Sequence, residues 1–252
     1  MKYLYRTYQL LVAAPILLLA TIATALVTIL GCTLGSAHFW GHYPAMIWSR
    51  MMCRVMLLPV KVEGREHIHD KTSYVFVANH QGAYDIFLIY GYLGRNFKWM
   101  MKKSLGQLPL IGRACRSAGH IMVDKSGPRG IQHTCEQGRR VLHGGTSLVV
   151  FPEGARTFTG HMGVFRRGAF QLADELRLPV VPITIDGPFD VLSRQRGVSF
   201  LTWHPLRLTI HPAIEPQGQG PENVHRTMQQ SYDTIMSALP TKYQGFVENP
   251  DQ

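Results

Sequence analysis

Residues 74–93, YVFVANHQGAYDIFLIYGYL, decide the fold. Tyr74–Ala78 (YVFVA) is a short unbroken run of β-branched, aromatic and small residues, the pattern of a strand buried on both faces. Asn79, Gln81 and Gly82 interrupt it, and Asp85–Leu93 (DIFLIYGYL) resumes with helical spacing. A buried strand, a tight turn and a helix in that order specify an α/β unit. The same alternation continues towards the carboxyl terminus. Phe97–Met101 reads as a second strand, Pro109 opens a short helix to about Ser117, and Ile121–Val123 reads as a third strand. Gly130–His143 places Ile131, Cys135 and Leu142 on one helical stripe and closes at Gly144-Gly145, a helix-stop signal. Leu148–Phe151 (LVVF) is a strand, Gly168–Leu176 a helix, Val180–Ile185 (VVPITI) and Arg207–Ile210 further strands, and Glu222–Leu239 a final amphipathic helix stopped by Pro240.

Towards the amino terminus the character changes. Leu10–Leu34 carries no charged residue, and its apolar run reaches the roughly 20 residues that a membrane helix needs. A cleaved signal peptide has a shorter apolar region of about 7–15 residues. Leu30-Gly31-Cys32 resembles the end of a lipid-attachment box, but the long apolar run fits retention better. Lys2 and Arg6 flank one end and Arg50 and Arg54 the other, so the charges do not choose an orientation. A monotopic hairpin accounts for both and is preferred to a full span, which stays the alternative. In it Pro15 kinks the first helix, Gly31, Gly35 and Gly41 make a reversal, and Tyr43–Leu58 returns as an amphipathic helix in the interface, with Trp40, Tyr43 and Trp48 at headgroup level. An ordinary core helix is the alternative for that second segment. The expected division is a membrane anchor at 1–58 and an α/β domain at 59–252, with 59–70, which has Pro59 and mixed charge, as the join.

The chain has 252 residues and a net charge of +10, yet only 17% of its residues are charged, fewer than the roughly 25% of soluble domains. Such an apolar composition argues against disorder. The anchor region 1–60 carries +4 with no acid, and residues 98–140 carry +7. No dense Lys/Arg arm occurs, so the charge points to anionic lipid and phosphorylated small molecules, and no nucleic-acid partner is expected. Cys32, Cys53, Cys115 and Cys135 form no C-x-x-C, which argues against a zinc ribbon or a thioredoxin-like site. His67-Ile68-His69 lacks the companions of a metal site, and neither metal nor cofactor is expected.

The chemistry concentrates in two turns after buried strands. His80 and Asp85 are five residues apart, which on a regular helix puts them about 140° apart. An irregular turn through Gly82 would instead bring the carboxylate to one ring nitrogen of His80, the arrangement of an oriented general base. Taken alone, the pair also reads as a helix-start cap. No G-x-S-x-G accompanies it, so the substrate itself would supply the attacking hydroxyl. The second turn, Phe151-Pro152-Glu153-Gly154-Ala155-Arg156, lies at a strand's carboxyl end, where open α/β sheets bind ligands. Arg156 has the planar fork suited to phosphate, and Gly154 permits close backbone approach; a surface salt bridge between Glu153 and Arg156 is the plainer alternative.

With these residues in place, the chain resembles the glycerolipid acyltransferases, specifically the bacterial 1-acylglycerol-3-phosphate acyltransferase type, over about residues 59–215. Four motifs in order carry the resemblance. Asn79-His80-x-x-x-x-Asp85 comes first. Lys103, Leu105, Pro109 and Gly112 follow, leading into Gly119–Lys125. F-P-E-G-A-R at 151–156 is third and Val180-Val181-Pro182-Ile183 fourth. The resemblance implies a mixed sheet flanked by helices, preceded by the membrane-associated helical hairpin. It implies acyl transfer from acyl-CoA or acyl carrier protein to lysophosphatidic acid, giving phosphatidic acid at the cytoplasmic face of the inner membrane. His80 would deprotonate the acceptor hydroxyl and Asp85 would orient it; Glu153, Gly154 and Arg156 would position the acceptor, with Lys125 and Arg156 on its phosphate. Two departures from the family pattern, Lys125 where Arg is common and Ala155 where Thr is common, bear on the acceptor headgroup. Another lysolipid acceptor, a water-using hydrolase and a non-catalytic lipid-binding protein are the alternatives.

Overall fold

In the computed structural model, residues 1–123, 128–197 and 199–245 are described, with the backbone alone at 128–132. Seven strands, β1 (Val60–Glu63), β2 (Val75–Ala78), β3 (Phe97–Lys102), β4 (Ile121–Val123), β5 (Ser147–Val150), β6 (Val180–Asp186) and β7 (Leu206–Ile210), form one sheet. Their order is β1-β7-β6-β2-β5-β3-β4. All neighbours are parallel except β6 and β7, so the sheet is mixed. β2, β5 and β6 are buried almost throughout because both faces are covered, which is why they read as unbroken apolar runs.

Alternate residues of β2 feed two cores. Phe76 and Ala78 pack with Leu88 and Ile89 of the helix Tyr84–Tyr92 and with Cys53 of the helix Tyr43–Val55. Val75 and Val77 pack on the opposite face with Phe170 and Leu172 of Gly168–Leu176 and with Val224 and Ile235 of Pro221–Ala238. The stretch 59–70, expected as a connection, contributes β1 instead. Val60 and Val62 face the first core while Lys61 points to solvent, the ordinary alternation of an edge strand, too short and too charged to stand out in sequence. A helix at Pro188–Leu192, also unforeseen, follows β6.

The amino-terminal region is a hairpin. One continuous helical rod runs from Lys2 to Leu34 and is long and apolar enough to cross a membrane. Pro15 has no N–H for the regular ladder, and the turn Gln9–Ala13 just ahead of it is a π-helix, with the Ala14 amide bonded to the Gln9 carbonyl. Gly31 is needed at the reversal, because a Cβ there would lie 2.4 Å from the Trp40 ring. The rod then docks along one face. The Tyr5 and Tyr8 hydroxyls donate to the carbonyls of Met56 (2.7 Å) and Val55 (2.6 Å). Gln9 pairs with both backbone groups of Leu201, at 3.0 and 2.8 Å. The opposite face, including Leu11, Leu18, Leu19 and Leu30, is exposed.

The return helix Tyr43–Val55 is more deeply integrated than an interfacial helix would be. Ser49 and Cys53 are buried, Arg50 Nε donates to the Gly91 carbonyl at 2.7 Å, and Gly91 lies so close that a Cβ would sit 3.1 Å from the Arg50 amide. Trp48, expected at headgroup level, instead donates its indole N–H to Thr21 Oγ1 (2.9 Å) and packs edge-on against Phe87. The core-helix alternative therefore describes much of this segment, because its apolar stripe has Tyr84–Tyr92 to pack against. Gly31→Ala is expected to lower the folding stability of the detergent-solubilised chain by about 1–3 kcal/mol, as an overpacked contact does. Gly168→Ala, where a Cβ meets nothing within 4 Å, is expected to change it by less than about 0.5 kcal/mol. Denaturant midpoints measure both.

Candidate active site

The site is built where β2 and β5 run out side by side. Asn79 fixes the exit from β2: its side chain donates to the Ile185 carbonyl (2.9 Å) and accepts the Ile185 amide (2.8 Å), clamping the turn to β6. Gly82 lies where any Cβ would stand 2.6 Å from the Pro188 carbonyl oxygen. This crowded turn brings Asp85, in the first turn of its helix, back onto His80, with Nδ1 and Oδ2 2.6 Å apart. The Gly82 amide donates to the same oxygen at 2.9 Å. The pair is therefore a histidine–carboxylate contact, the arrangement expected from Gly82. Asp85 is fully buried; burial pushes its carboxyl up from the ordinary range, while the hydrogen bond and charge of His80 and the Gly82 amide act against that.

A carboxylate on Nδ1 selects the tautomer in which Nδ1 carries the proton and the Nε2 lone pair is free. Among the described residues nothing bonds to Nε2, and the side chain keeps 15% exposure. The ring is backed by Phe151, stacked at a centroid distance of 3.9 Å and 7° from parallel.

The second turn is locked to the first through register. β2 and β5 pair Val75 with Leu148 and Val77 with Val150, and the same offset carried three residues further sets His80 against Glu153. Glu153 Oε1 accepts the His80 amide at 2.6 Å, and Oε2 accepts the Gly163 amide at 2.8 Å. It is 2% exposed, and among the described residues no surface bridge to Arg156 is formed. It holds the His80 backbone in place. Gly154 adopts a left-handed φ of 78° under the Arg166 side chain, a conformation glycine permits. Arg156 is half-buried, and among the described residues its guanidinium has no hydrogen-bond or ion-pair partner. The next residue ties it to the base: the Thr157 amide donates to the His80 carbonyl at 2.9 Å. Lys125 lies outside the described residues.

Three contributors were given no role of their own in sequence. Phe151 reads as the end of a strand. Asn79 reads as turn chemistry. Arg194, whose Nη1 donates to the Arg156 carbonyl (3.1 Å) and whose guanidinium lies 4.0 Å over the Phe158 ring, belongs to a stretch without any motif.

A carboxylate-held imidazole with an open nitrogen, joined by one backbone hydrogen bond to the turn that carries the half-buried Arg156, is suited to activating a hydroxyl on an anionic molecule. Residues 59–186, half of the chain, match the acyltransferase family model, and the chain belongs to that family. A 1-acyl-sn-glycerol-3-phosphate acyltransferase of Cocos nucifera is 30% identical over 177 residues, covering 70% of this chain and 52% of that protein. The Saccharomyces cerevisiae protein of the same description is 33% identical over 175 residues, covering 66% and 56%. The chain thus spans about half the length of these curated relatives. The crystal structure of the 1-acyl-sn-glycerophosphate (LPA) acyltransferase PlsC from Thermotoga maritima shares the fold, with a TM-score of 0.64 and 24% identity over 76% of this chain and 75% of that one.

Glu153→Gln should leave one of the two buried amides facing an NH2 group and unsatisfied. A loss of about 1–3 kcal/mol is expected in denaturant titration, together with reduced turnover.

Proposed function

We propose that the chain transfers an acyl group from acyl-CoA or acyl carrier protein to the sn-2 hydroxyl of 1-acylglycerol-3-phosphate, giving phosphatidic acid at a membrane surface. The observation that carries this is the open Nε2 of His80, held by Asp85 at Nδ1 and bonded to no serine, threonine or cysteine among the described residues. A base without an enzyme nucleophile calls for a substrate hydroxyl. His80 Nε2 takes the hydroxyl proton as its oxygen bonds to the thioester carbonyl carbon; the carbon–sulfur bond then breaks, and the same nitrogen returns the proton to the leaving thiolate. Asp85 steadies the imidazolium in between. Arg156, with Lys125 joining it, holds the acceptor phosphate by charge-assisted hydrogen bonds.

The hairpin supports residence on one leaflet. The docked face of Lys2–Leu34 is occupied by protein contacts from Tyr5 to Thr28, leaving the other face for lipid, and the acid-free segment 1–60 suits anionic headgroups. In this reading residues 1–58 are the anchor and 59–252 the acyltransferase domain, facing the cytoplasm, where thioester donors are dissolved.

Purified full-length protein in vesicles, given acyl-CoA and lysophosphatidic acid, is expected to release thiol and form phosphatidic acid. His80→Ala should lose about 10²–10⁴-fold in turnover while remaining folded and vesicle-bound. Full activity in that variant would overturn the mechanism. Asp85→Asn should act mainly on kcat and Arg156→Ala mainly on the KM for the acceptor; the opposite partition would reverse the assigned roles.

A further inference from the structure

The geometry points to Phe151 as a positioning residue for His80, holding the imidazole plane through its ring face and favouring the charged ring as the proton arrives. This rests on the reading of His80 as the general base. Asp85 fastens the imidazole at one ring nitrogen, and small coupled changes of χ1 and χ2 can still rock the ring plane while that hydrogen bond is kept. A second, flat contact removes that freedom. Phe151 supplies it, parallel to within 7° at 3.9 Å.

The contact is rigid because it is the outer layer of a longer stack. Phe151 lies on Trp99 at 5.5 Å and 23°, and Trp99 is buried against Phe97 and Tyr90. The backbone under Trp99 is held in turn by a histidine acting only as acceptor. The Trp99 amide donates to Nδ1 of His120 at 3.3 Å, and burial lowers the His120 pKa to about 3, so its ring is neutral and the lone pair is available. Phe151 itself follows directly after β5, and the register with β2 places it opposite Ala78, two residues before His80.

The electronic consequence follows from the ring quadrupole. The negative face of an aromatic ring attracts a cation stacked on it far more than a neutral ring. The imidazole is neutral before the proton is taken and charged just afterwards, so this contact strengthens as the reaction proceeds and contributes to rate rather than to binding.

The test uses the full chain in vesicles with acyl-CoA and lysophosphatidic acid, following thiol release. Phe151→Leu keeps an apolar side chain but removes the ring face. It is expected to lower kcat about tenfold and leave both KM values near those of the parent. Phe151→Tyr should restore the rate. Should Phe151→Leu fail to fold, pentafluorophenylalanine at 151 keeps the shape and reverses the quadrupole, and kcat should again fall with KM unchanged. An unchanged kcat in the folded variant, no recovery with Tyr, or an effect confined to KM overturns the inference. His80→Ala in the same assay separates the two ideas. Activity there removes the functional reading itself, whereas an inactive His80→Ala beside an unaffected Phe151→Leu removes only the role of Phe151.

Discussion

The carboxylate of Glu153 receives two backbone amides, one from the turn after β2 and one from the loop that reaches Gly163, and most of the site's geometry follows from that double acceptance. Two parallel strands deliver their turns to the same edge of a sheet, but nothing in strand pairing itself continues past Ala78 and Val150. Glu153 extends the pairing by charge-assisted bonds, each stronger than the neutral ladder bonds it replaces. Both of its oxygens accept backbone amides, which helps a buried carboxylate to be tolerated. With the two turns joined, the ring of His80 falls on Phe151, and the Arg156 turn lies within one hydrogen bond of the histidine backbone.

Around that clasp the chain separates tasks between charges that are paired and charges that are open. Asp85 and Glu153 are buried and engaged, and both act on His80, one through its ring and one through its amide. Among the described residues Arg156 has no partner, while Arg194 is occupied with the Arg156 carbonyl and the Phe158 ring. An arginine held open in this way avoids competition from a neighbouring carboxylate when an anionic ligand arrives. The mixed topology contributes as well, since β6 receives Asn79 on one side and the antiparallel β7 on the other, fixing the sheet immediately beside the turn.

Much of this was legible in the sequence because the signals were local. Unbroken apolar runs gave the central strands to within a residue or two, and Gly82 between His80 and Asp85 left their contact open beside a helix-start cap. What escaped depended on partners distant in the chain. β1 is four residues of alternating valine and charge, and only its pairing with β7 makes it a strand. Glu153 looks like any loop carboxylate until the amides that consume its oxygens are placed. Phe151 could be seen as a strand's last residue, but stacking on a ring 71 positions earlier is a property of register. Trp48 had the composition of an interfacial residue and became an inter-helix contact because Thr21 and Phe87 face it.

The amino-terminal rod, tied by Tyr5, Tyr8 and Gln9, has a mechanical consequence. At about 1.5 Å per residue its 33 residues form a beam some 50 Å long. It is riveted near one end to the last turn of the return helix and to the segment just before β7. The contacts at its root leave the π-turn Gln9–Ala13 and Pro15 inside the docked stretch. A bilayer that takes up its free face would therefore bear on the pitch and roll of the sheet through these few ties, so that lipid packing or curvature would act on the edge that carries His80 as a torque.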